Sequence, residues 1–418
     1  MSTLFDTAIP DHPVYFEDWI DDDGKGAGPW KIACTVSKEG GKLKTDFTGT
    51  YPQSTSSINF LLSHSMFKMF IGFYLIAVYD PGNLVNDGFH DLIDMHVPEG
   101  SLLNPIRPAA LSCRTHLLGR VMDLLAGLLG QKAPEFMTAG GFSDSPHLMF
   151  SGYKASGEWF QLYQIGFGGV PARPHGDGMD GHSLWPAFKS IPNELLELQY
   201  PLRIEEYKLV TDSGGPGLYR GGNGQRICYR FLDKGEISTH DDRWLSYPCG
   251  VVGGMPGARS SKVLVHNHDG SGRREVLGSK ADHIVVNEGD VLEWVTWGGG
   301  GYGDPLKRAP SLVALEVRRG LVSFEGAKRY GVVVKSDFTV DEDGTDRLRE
   351  DIRNGRPVGW EKQVFDRGGP MEEIAAKALQ ETGLEAPTHP SKTLARGPHS
   401  GLKWVQDWYE EHRAKDTT

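Results

Sequence analysis

The segment from Arg173 to His182 holds the densest set of chemically versatile side chains in this sequence. It reads Arg-Pro-His-Gly-Asp-Gly-Met-Asp-Gly-His, so that two imidazoles, two carboxylates and a guanidinium lie within ten residues. An aspartate in such a loop can act as a general base, and the arginine can hold an anionic group. Aspartates in glycine-rich loops also bond the backbone of turns, so the sequence leaves a functional and a structural interpretation open.

A second set, His90, Asp94 and His96, could hold a divalent metal ion. If this segment were a single strand, the two-residue period would place all three side chains on one face. The alternative is a polar strand face with solvated histidines, and the sequence favours it because nothing fixes the strand register. We therefore predict no metal ligands in this chain.

Two further segments look like catalytic motifs but lack the residues that would complete them. Asp212 to Pro216 (Asp-Ser-Gly-Gly-Pro) resembles the nucleophile segment of chymotrypsin-like proteases, yet no matching histidine segment precedes it. The glycine run Gly298 to Gly301 could cradle a phosphate, but the Lys-Ser/Thr pair of a P-loop is absent. We expect this run to pack closely against another backbone, and we expect no ATP site in this chain alone.

The hydrophobic pattern predicts an α+β fold: a β-rich core with glycine-rich turns, backed by a few helices, plus a helical C-terminal tail. We divide the chain into a mixed α/β part (1–157), a β-rich part (158–335) and a polar, partly helical docking tail (336–418). The predicted elements are a hairpin over 30–50, helices over 58–78, 110–129, 312–319, 371–382 and 402–412, and an acidic linker over 341–344.

Composition excludes several classes of protein. The net charge is −11 and basic residues do not cluster, which disfavours binding to nucleic acid. The four cysteines show no metal-binding or disulfide spacing, and no signal peptide opens the sequence, so we expect a cytoplasmic protein. The segment from Phe60 to Tyr79 has the length of a membrane span, but it carries His64 and Lys68, and we expect a buried helix instead.

Several short motifs, in their order along residues 16–335, resemble the hydantoinase B/oxoprolinase family. This family comprises the B-type subunits of ATP-dependent hydantoinases, 5-oxoprolinase, and acetone or acetophenone carboxylases. The matching segments are Asp46–Thr50, Pro52–Gln53, Asn59, Asn86–Gly88, Val97–Pro105, Arg173–Gly178, Ser213–Gly224, Gly298–Pro305, Gly320–Ser323 and Tyr330–Val333.

The resemblance implies one subunit of a heteromeric ATP-dependent enzyme that activates a carbonyl by phosphorylation. It implies hydrolysis of a cyclic amide such as a hydantoin or lactam first. The alternatives are a ketone carboxylase subunit and a non-catalytic structural subunit. Within the resembling segments we select Arg173, His175 and Asp177 as candidate catalytic residues.

The same resemblance implies which partners and cofactors the complex contains. ATP and Mg²⁺ or another divalent metal are expected on partner subunits, one of them an A-type ATP-binding subunit. The N-terminal half of a typical B-type subunit, with its metal-ligand segments, has no match here. We therefore expect a separate chain to supply that half, this chain to be inactive alone, and residues 337–418 to help bind the partner.

Overall fold

The structure is a computed structural model that describes residues 1–418 except 83, 85, 134–136, 142–145, 155, 183–187, 361–363, 394–400 and 415–418. The fold is α+β, as predicted. The strands are β1 Val14–Ile20, β2 Trp30–Glu39, β3 Lys42–Asp46, β4 Ile93–His96, β5 His147–Tyr153, β6 Trp159–Ile165, β7 Leu202–Leu209, β8 Gln225–Phe231, β9 Gly235–His240, β10 Gly250–Val251, β11 Ser261–His266, β12 Arg273–Val276, β13 Lys280–Val286, β14 Val291–Val295 and β15 Phe365–Asp366.

The helices are more widely spaced along the chain. They are α1 Ser2–Ala8, α2 His64–Tyr79, α3 Arg114–Leu129, α4 Asn193–Gln199, α5 Pro310–Arg318, α6 Phe324–Ala327, α7 Glu342–Asn354, α8 Met371–Thr382, α9 Pro390–Thr393 and α10 Lys403–Ala414, with short 3₁₀ turns at Asp87–Leu92, Pro305–Lys307 and Lys328–Tyr330. Among the described residues, no helix combines the length and the apolar character that crossing a bilayer requires.

The backbone contacts divide the chain into two compact units. The first unit comprises residues 1–138 and 387–418, and the second comprises residues 139–386. The division into 1–157, 158–335 and 336–418 that we drew from the sequence stays a prediction.

The first unit is built on a four-stranded sheet in the order β1-β2-β3-β4. β2 and β3 form the predicted antiparallel hairpin, and Gly40 and Gly41 turn it with φ values of 58° and 76°. β4 joins β3 in parallel, and α3 packs on β1 and β2. A Cβ at Gly127 of α3 would lie 2.6 Å from the ring of Phe16, so glycine permits this close approach.

Tertiary hydrogen bonds delay the start of α2 relative to the sequence prediction. The N–H groups of Phe60 and Leu62 donate to the carbonyls of Leu102 and Leu103, which holds residues 58–62 extended. Ser63 then caps the helix by accepting from the N–H of Met66. The predicted beginning at residue 58 was therefore wrong by about two turns.

The second unit contains two antiparallel sheets that share one apolar core. One sheet has the order β12-β11-β14-β8-β7 and the other β13-β9-β5-β6. These sheets agree with the β-rich core that the sequence predicted, although β5 already belongs to them ahead of residue 158. The core side chains are Leu148, Phe150, Phe160, Leu162, Leu196, Leu202, Ile227, Tyr229, Phe231, Ile237, Leu264, Leu277, Val286, Leu292 and Trp294.

Three glycine-rich segments of the second unit stack backbone on backbone. The N–H of Gly222 donates to the carbonyl of Val170 at 2.8 Å, and the N–H of Gly299 donates to the carbonyl of Gly222 at 2.9 Å. A Cβ at Gly222 would lie 1.9 Å from the carbonyl oxygen of Met179. The close backbone packing predicted for the glycine run at 298–301 is thus confirmed.

At residues 341–344 and in the helices α8 and α10, the structure adds contacts that the sequence did not indicate. The expected acidic linker at 341–344 is instead the start of α7, because the Asp341 carboxylate caps the helix by accepting from the N–H of Gly344. In the second unit, Ala378 of α8 is buried beside Trp244 and Leu245. In the first unit, the ring of Trp408 on α10 contacts the ring of Tyr51, with centroids 4.8 Å apart.

Candidate functional site

The predicted catalytic residues lie on one tight turn of the second unit. Arg173 and Gly176 exchange backbone hydrogen bonds of 3.1 and 3.2 Å across this turn. His175 has a φ of 68°, in the left-handed region that few non-glycine residues adopt. The side chains of Arg173 and His175 are exposed at its tip. The turn can therefore present a guanidinium and an imidazole to a ligand.

Asp177 points the other way and is held by two arginines. Both carboxylate oxygens accept from the guanidinium of Arg308, at 2.8 and 2.7 Å. One of them also accepts from the backbone N–H of Arg220 at 2.8 Å. The Arg308 side chain is only 1% exposed. This fork-like geometry anchors the turn to the interior.

The anchor belongs to a larger cluster, the arginine network, formed by Asp177, Asp180, Arg220, Arg308 and Glu316. Glu316 bridges the two guanidinium groups, accepting from Arg220 Nε at 3.2 Å and from Arg308 Nη2 at 2.6 Å. Asp180 accepts from Arg220 at 2.9 and 3.1 Å. The three carboxylates and two guanidinium groups have a net charge of −1. Each of these five groups contacts at least one group of opposite charge, which is what buried charges require.

The network sets the protonation of Asp177. Burial by itself raises the pKa of Asp177, but the hydrogen bonds and charge of Arg308 outweigh it and hold the pKa below the usual aspartate value. Conversely, the pKa of Arg308 is raised by Asp177 and Glu316 despite burial. A carboxylate with a lowered pKa and three donors is a poor base. Asp177 is therefore better suited to fixing the turn than to taking a proton.

The structure keeps His90 apart from Asp94 and His96. His90 lies in the 3₁₀ turn Asp87–Leu92, whereas Asp94 and His96 lie on β4 with exposed side chains. The single strand that would have aligned the three side chains is not formed. The alignment on which the metal-site alternative depended is therefore absent, and the side chains of Asp94 and His96 are exposed on β4.

The serine of the protease-like segment is structural. The Ser213 hydroxyl donates to the carbonyl of Val210 at 2.6 Å and accepts from the N–H of Gly224 at 2.9 Å. Ser213 is 3% exposed. It ties two glycine-rich segments together, which agrees with our rejection of a protease site.

A second charged cluster lies in the second unit and was not predicted from the sequence. The ammonium of Lys262 lies 2.6 Å from Asp241, whose other oxygen accepts from the indole N–H of Trp294 at 3.0 Å. Burial raises the pKa of Asp241, although Lys262 and Trp294 both favour its charge. We call Asp241 and Lys262 the lysine pair. The sequence feature that could have indicated this cluster is the charged run Asp241-Asp242-Arg243, which directly follows an alternating segment.

Comparisons with known proteins give one consistent result. The profile of the family described as Hydantoinase B/oxoprolinase matches residues 2–305. An uncharacterized protein of Methanocaldococcus jannaschii is 32% identical over 323 residues, which cover 76% of this chain and 55% of that protein. Caprolactamase subunit beta of Pseudomonas jessenii is 29% identical over 348 residues, 78% of this chain and 57% of the relative.

A carboxylase subunit and a solved structure extend this result. The acetophenone carboxylase delta subunit of Aromatoleum aromaticum is 27% identical over 384 residues, 80% of this chain and 54% of that subunit. The crystal structure of the ATP-dependent caprolactamase from Pseudomonas jessenii superposes with a TM-score of 0.71 at 26% identity, covering 84% of this chain and 61% of the other. The matched region thus spans little more than half the length of each of these three relatives.

Proposed function

The chain belongs to the hydantoinase B/oxoprolinase family, and we propose that it acts in an ATP-dependent enzyme that opens a cyclic amide, a hydantoin or a lactam. The observation that carries this proposal is the similarity to caprolactamase in sequence and in fold. The carboxylase subunit is similar to almost the same degree, 27% against 29% identity, so ketone carboxylation is the second candidate reaction.

Ring opening of an unstrained amide needs activation. Transfer of a phosphoryl group from ATP to the carbonyl oxygen would create a good leaving group and an electrophilic carbon. In this proposal the ATP and its Mg²⁺ or other divalent metal are bound by partner subunits. This chain would contribute Arg173, whose exposed guanidinium suits a carboxylate or phosphoryl oxygen, and His175, whose imidazole can carry a proton. Asp177 would hold the turn that presents both groups.

Partners form part of the same proposal. We expect an A-type ATP-binding subunit, a separate chain that supplies the N-terminal half of the B-type subunit, and no activity from this chain alone. The lengths of the relatives support these partners. Each relative is about twice as long as the region that matches this chain, so its remaining residues have no counterpart in the match. The four cysteines are free thiols, which fits a reducing compartment such as the cytoplasm.

Reconstitution tests the proposal directly. The chain is purified by affinity tag from its host, the co-purifying chains are identified, and the complex is supplied with ATP, Mg²⁺ and a panel of hydantoins and lactams. We expect ring opening that requires ATP and releases ADP and inorganic phosphate. A complex that turns over only ketones, and only with bicarbonate, would instead identify the carboxylase reaction that the acetophenone carboxylase relative suggests.

Variants of the turn separate an enzymatic from a structural role. Arg173→Ala and His175→Ala should lower turnover without dissociating the complex. Lys234→Ala, which removes an exposed cation between β8 and β9, is the matched control and should leave turnover unchanged. Full activity of both turn variants would indicate that this chain serves the complex as a structural subunit.

A further inference from the structure

Two histidines and an aspartate converge at one end of the five-stranded sheet, in a place that the proposed reaction does not use. Val265 of β11 pairs with Val291 of β14, so His266 and Asp290 follow opposite each other across the two strands. His268 lies two residues beyond His266, in the turn toward β12. One ligand atom from each of His266, His268 and Asp290 lies within 4.8 Å of the other two.

Asp290 is preorganised at the centre of this group. Its side chain is fully buried. One carboxylate oxygen accepts from the N–H groups of Asn267 and His268 at 2.9 and 3.1 Å, and the Nδ1 of His268 lies 2.7 Å from the same oxygen. The other accepts from the N–H of Asn287 at 2.9 Å. The carboxylate therefore cannot swing away, and the imidazole of His268 is held against it.

A further carboxylate fixes the second imidazole. The Nε2 of His266 lies 2.7 Å from the Oε2 of Glu275, a residue of the adjacent strand β12. Histidines that bind metals are commonly oriented by a carboxylate in this way. The His266 side chain is 10% exposed and that of His268 is 33% exposed, so an ion can enter from the solvent side.

The charges near the group favour a cation. Asp290, Glu275 and Asp269 contribute three negative charges, and Asp269 directly follows His268 in the chain. Arg273 contributes one positive charge, 3.2 Å from Glu275. Arg230 donates to the neighbouring carbonyl of Gly289 but is paired with Glu205. With neutral imidazoles, two negative charges remain, which is the charge that a divalent ion balances.

From this geometry we propose that His266, His268 and Asp290 form a binding site for a divalent transition metal of the Zn²⁺ class, with Glu275 orienting or completing it. Two imidazoles and a carboxylate are a ligand set that suits zinc and its neighbours better than Mg²⁺ or Ca²⁺. The ion would join the ends of β11 and β14 to the turn before β12. It is a structural site, separate from the turn at Arg173.

Zinc titration of the full chain tests this proposal. After dialysis against a chelator, Zn²⁺ is titrated into the protein by calorimetry, with Mg²⁺ as a comparison. We expect one saturable Zn²⁺ site, little binding of Mg²⁺, and at least a tenfold loss of Zn²⁺ affinity in His268→Ala. His268 is the variant of choice because its side chain is the more exposed of the two, and circular dichroism verifies that the variant folds.

The matched control is His283→Ala. His283 of β13 also pairs with carboxylates, 2.7 Å from Glu236 and 3.6 Å from Asp282, but it is 79% exposed and belongs to neither of the two candidate metal-binding groups found among the described residues. We expect His283→Ala to bind Zn²⁺ like the unmodified chain. Absence of a saturable site in the unmodified chain, or equal affinities of His268→Ala and the unmodified chain, would overturn the assignment. Substitution of Co²⁺ gives a second readout: its visible spectrum should change between the unmodified chain and Glu275→Gln.

Discussion

The arginine network and the lysine pair both bury opposite charges in the second unit, but they differ in their access to solvent. In the arginine network, the side chains of Asp177 and Asp180 are 37% and 21% exposed. In the lysine pair, Lys262 is 2% exposed and Asp241 is fully buried. A cluster with an open end can hold a surface turn in place for a ligand, whereas a closed one can only serve the fold. The comparison predicts large stability effects in the lysine pair and functional effects at the edge of the network.

The largest effect is expected from Lys262→Met. The substitution keeps most of the side-chain volume but leaves the Asp241 carboxylate buried without its cation. We expect a loss of about 3–5 kcal/mol in the free energy of unfolding, measured by urea denaturation. Lys234→Met, at an exposed position, should change it by less than about 0.5 kcal/mol.

A double substitution shows whether the unpaired charge causes this loss. Asp241→Asn combined with Lys262→Met removes both charges, and it should recover part of the stability that Lys262→Met loses. If the double variant were no more stable than Lys262→Met, the loss would come from packing beside Trp294. The unpaired charge of Asp241 would then not be its cause.

The second effect concerns the centre of the arginine network. Arg308→Lys keeps the positive charge, but a single ammonium cannot bridge Asp177 and Glu316 as the guanidinium does. We expect a loss of about 2–3 kcal/mol, because charged hydrogen bonds are lost while the charge remains. Thermal unfolding measures the stability of Arg308→Lys, and Lys307→Arg is the control at the adjacent position. If Arg308→Lys lost no more stability than Lys307→Arg, the bridging role of Arg308 would be contradicted.

The sequence predicted the elements whose pattern is local and missed the contacts that depend on tertiary structure. The hairpin at Gly40 and Gly41 and the helix over 371–382 follow from turn glycines and helical spacing, and they were confirmed. The close packing of the glycine run at 298–301 was also predicted, because glycine lets two backbones approach each other closely. The partner of Asp177, however, lies 131 residues away in Arg308, and no spacing rule connects the two.

The third effect tests the direction of the Asp177 pKa shift. Because the folded-state pKa is lowered, the ion pair stabilises the protein fully at pH values above the ordinary aspartate pKa of about 4. This contribution is lost as the pH falls through the lower folded-state value. Asp177→Asn should therefore be about 1 kcal/mol less stable than the unmodified chain at pH 7.

The difference between the two proteins should shrink below pH 4. Urea denaturation at pH 7, 5, 4 and 3 measures it, provided that both proteins still unfold cooperatively at the lowest pH. Asp269→Asn, at an exposed position outside the network, is the comparison and should differ less from the unmodified chain at pH 7 than Asp177→Asn does. A gap between Asp177→Asn and the unmodified chain that widened on acidification would show that the carboxylate is not stabilised as an anion.

The smallest effect on stability, and the most informative for function, is expected from Arg173→Ala. The guanidinium is exposed, and its hydrogen bond to the backbone carbonyl of Asp177 is long, at 3.4 Å. Its removal should change the free energy of unfolding by less than about 0.5 kcal/mol. Within the assembled complex, turnover should nevertheless fall at least tenfold, because nothing else at the tip of the turn supplies a fixed positive charge among the residues that the structure describes. Arg173→Lys should restore part of the rate if charge suffices and little if a forked donor is needed. If stability and turnover fell together in Arg173→Ala, Arg173 would serve the fold, as the lysine pair does. The exposed edge of the arginine network would then not differ in role from the buried lysine pair.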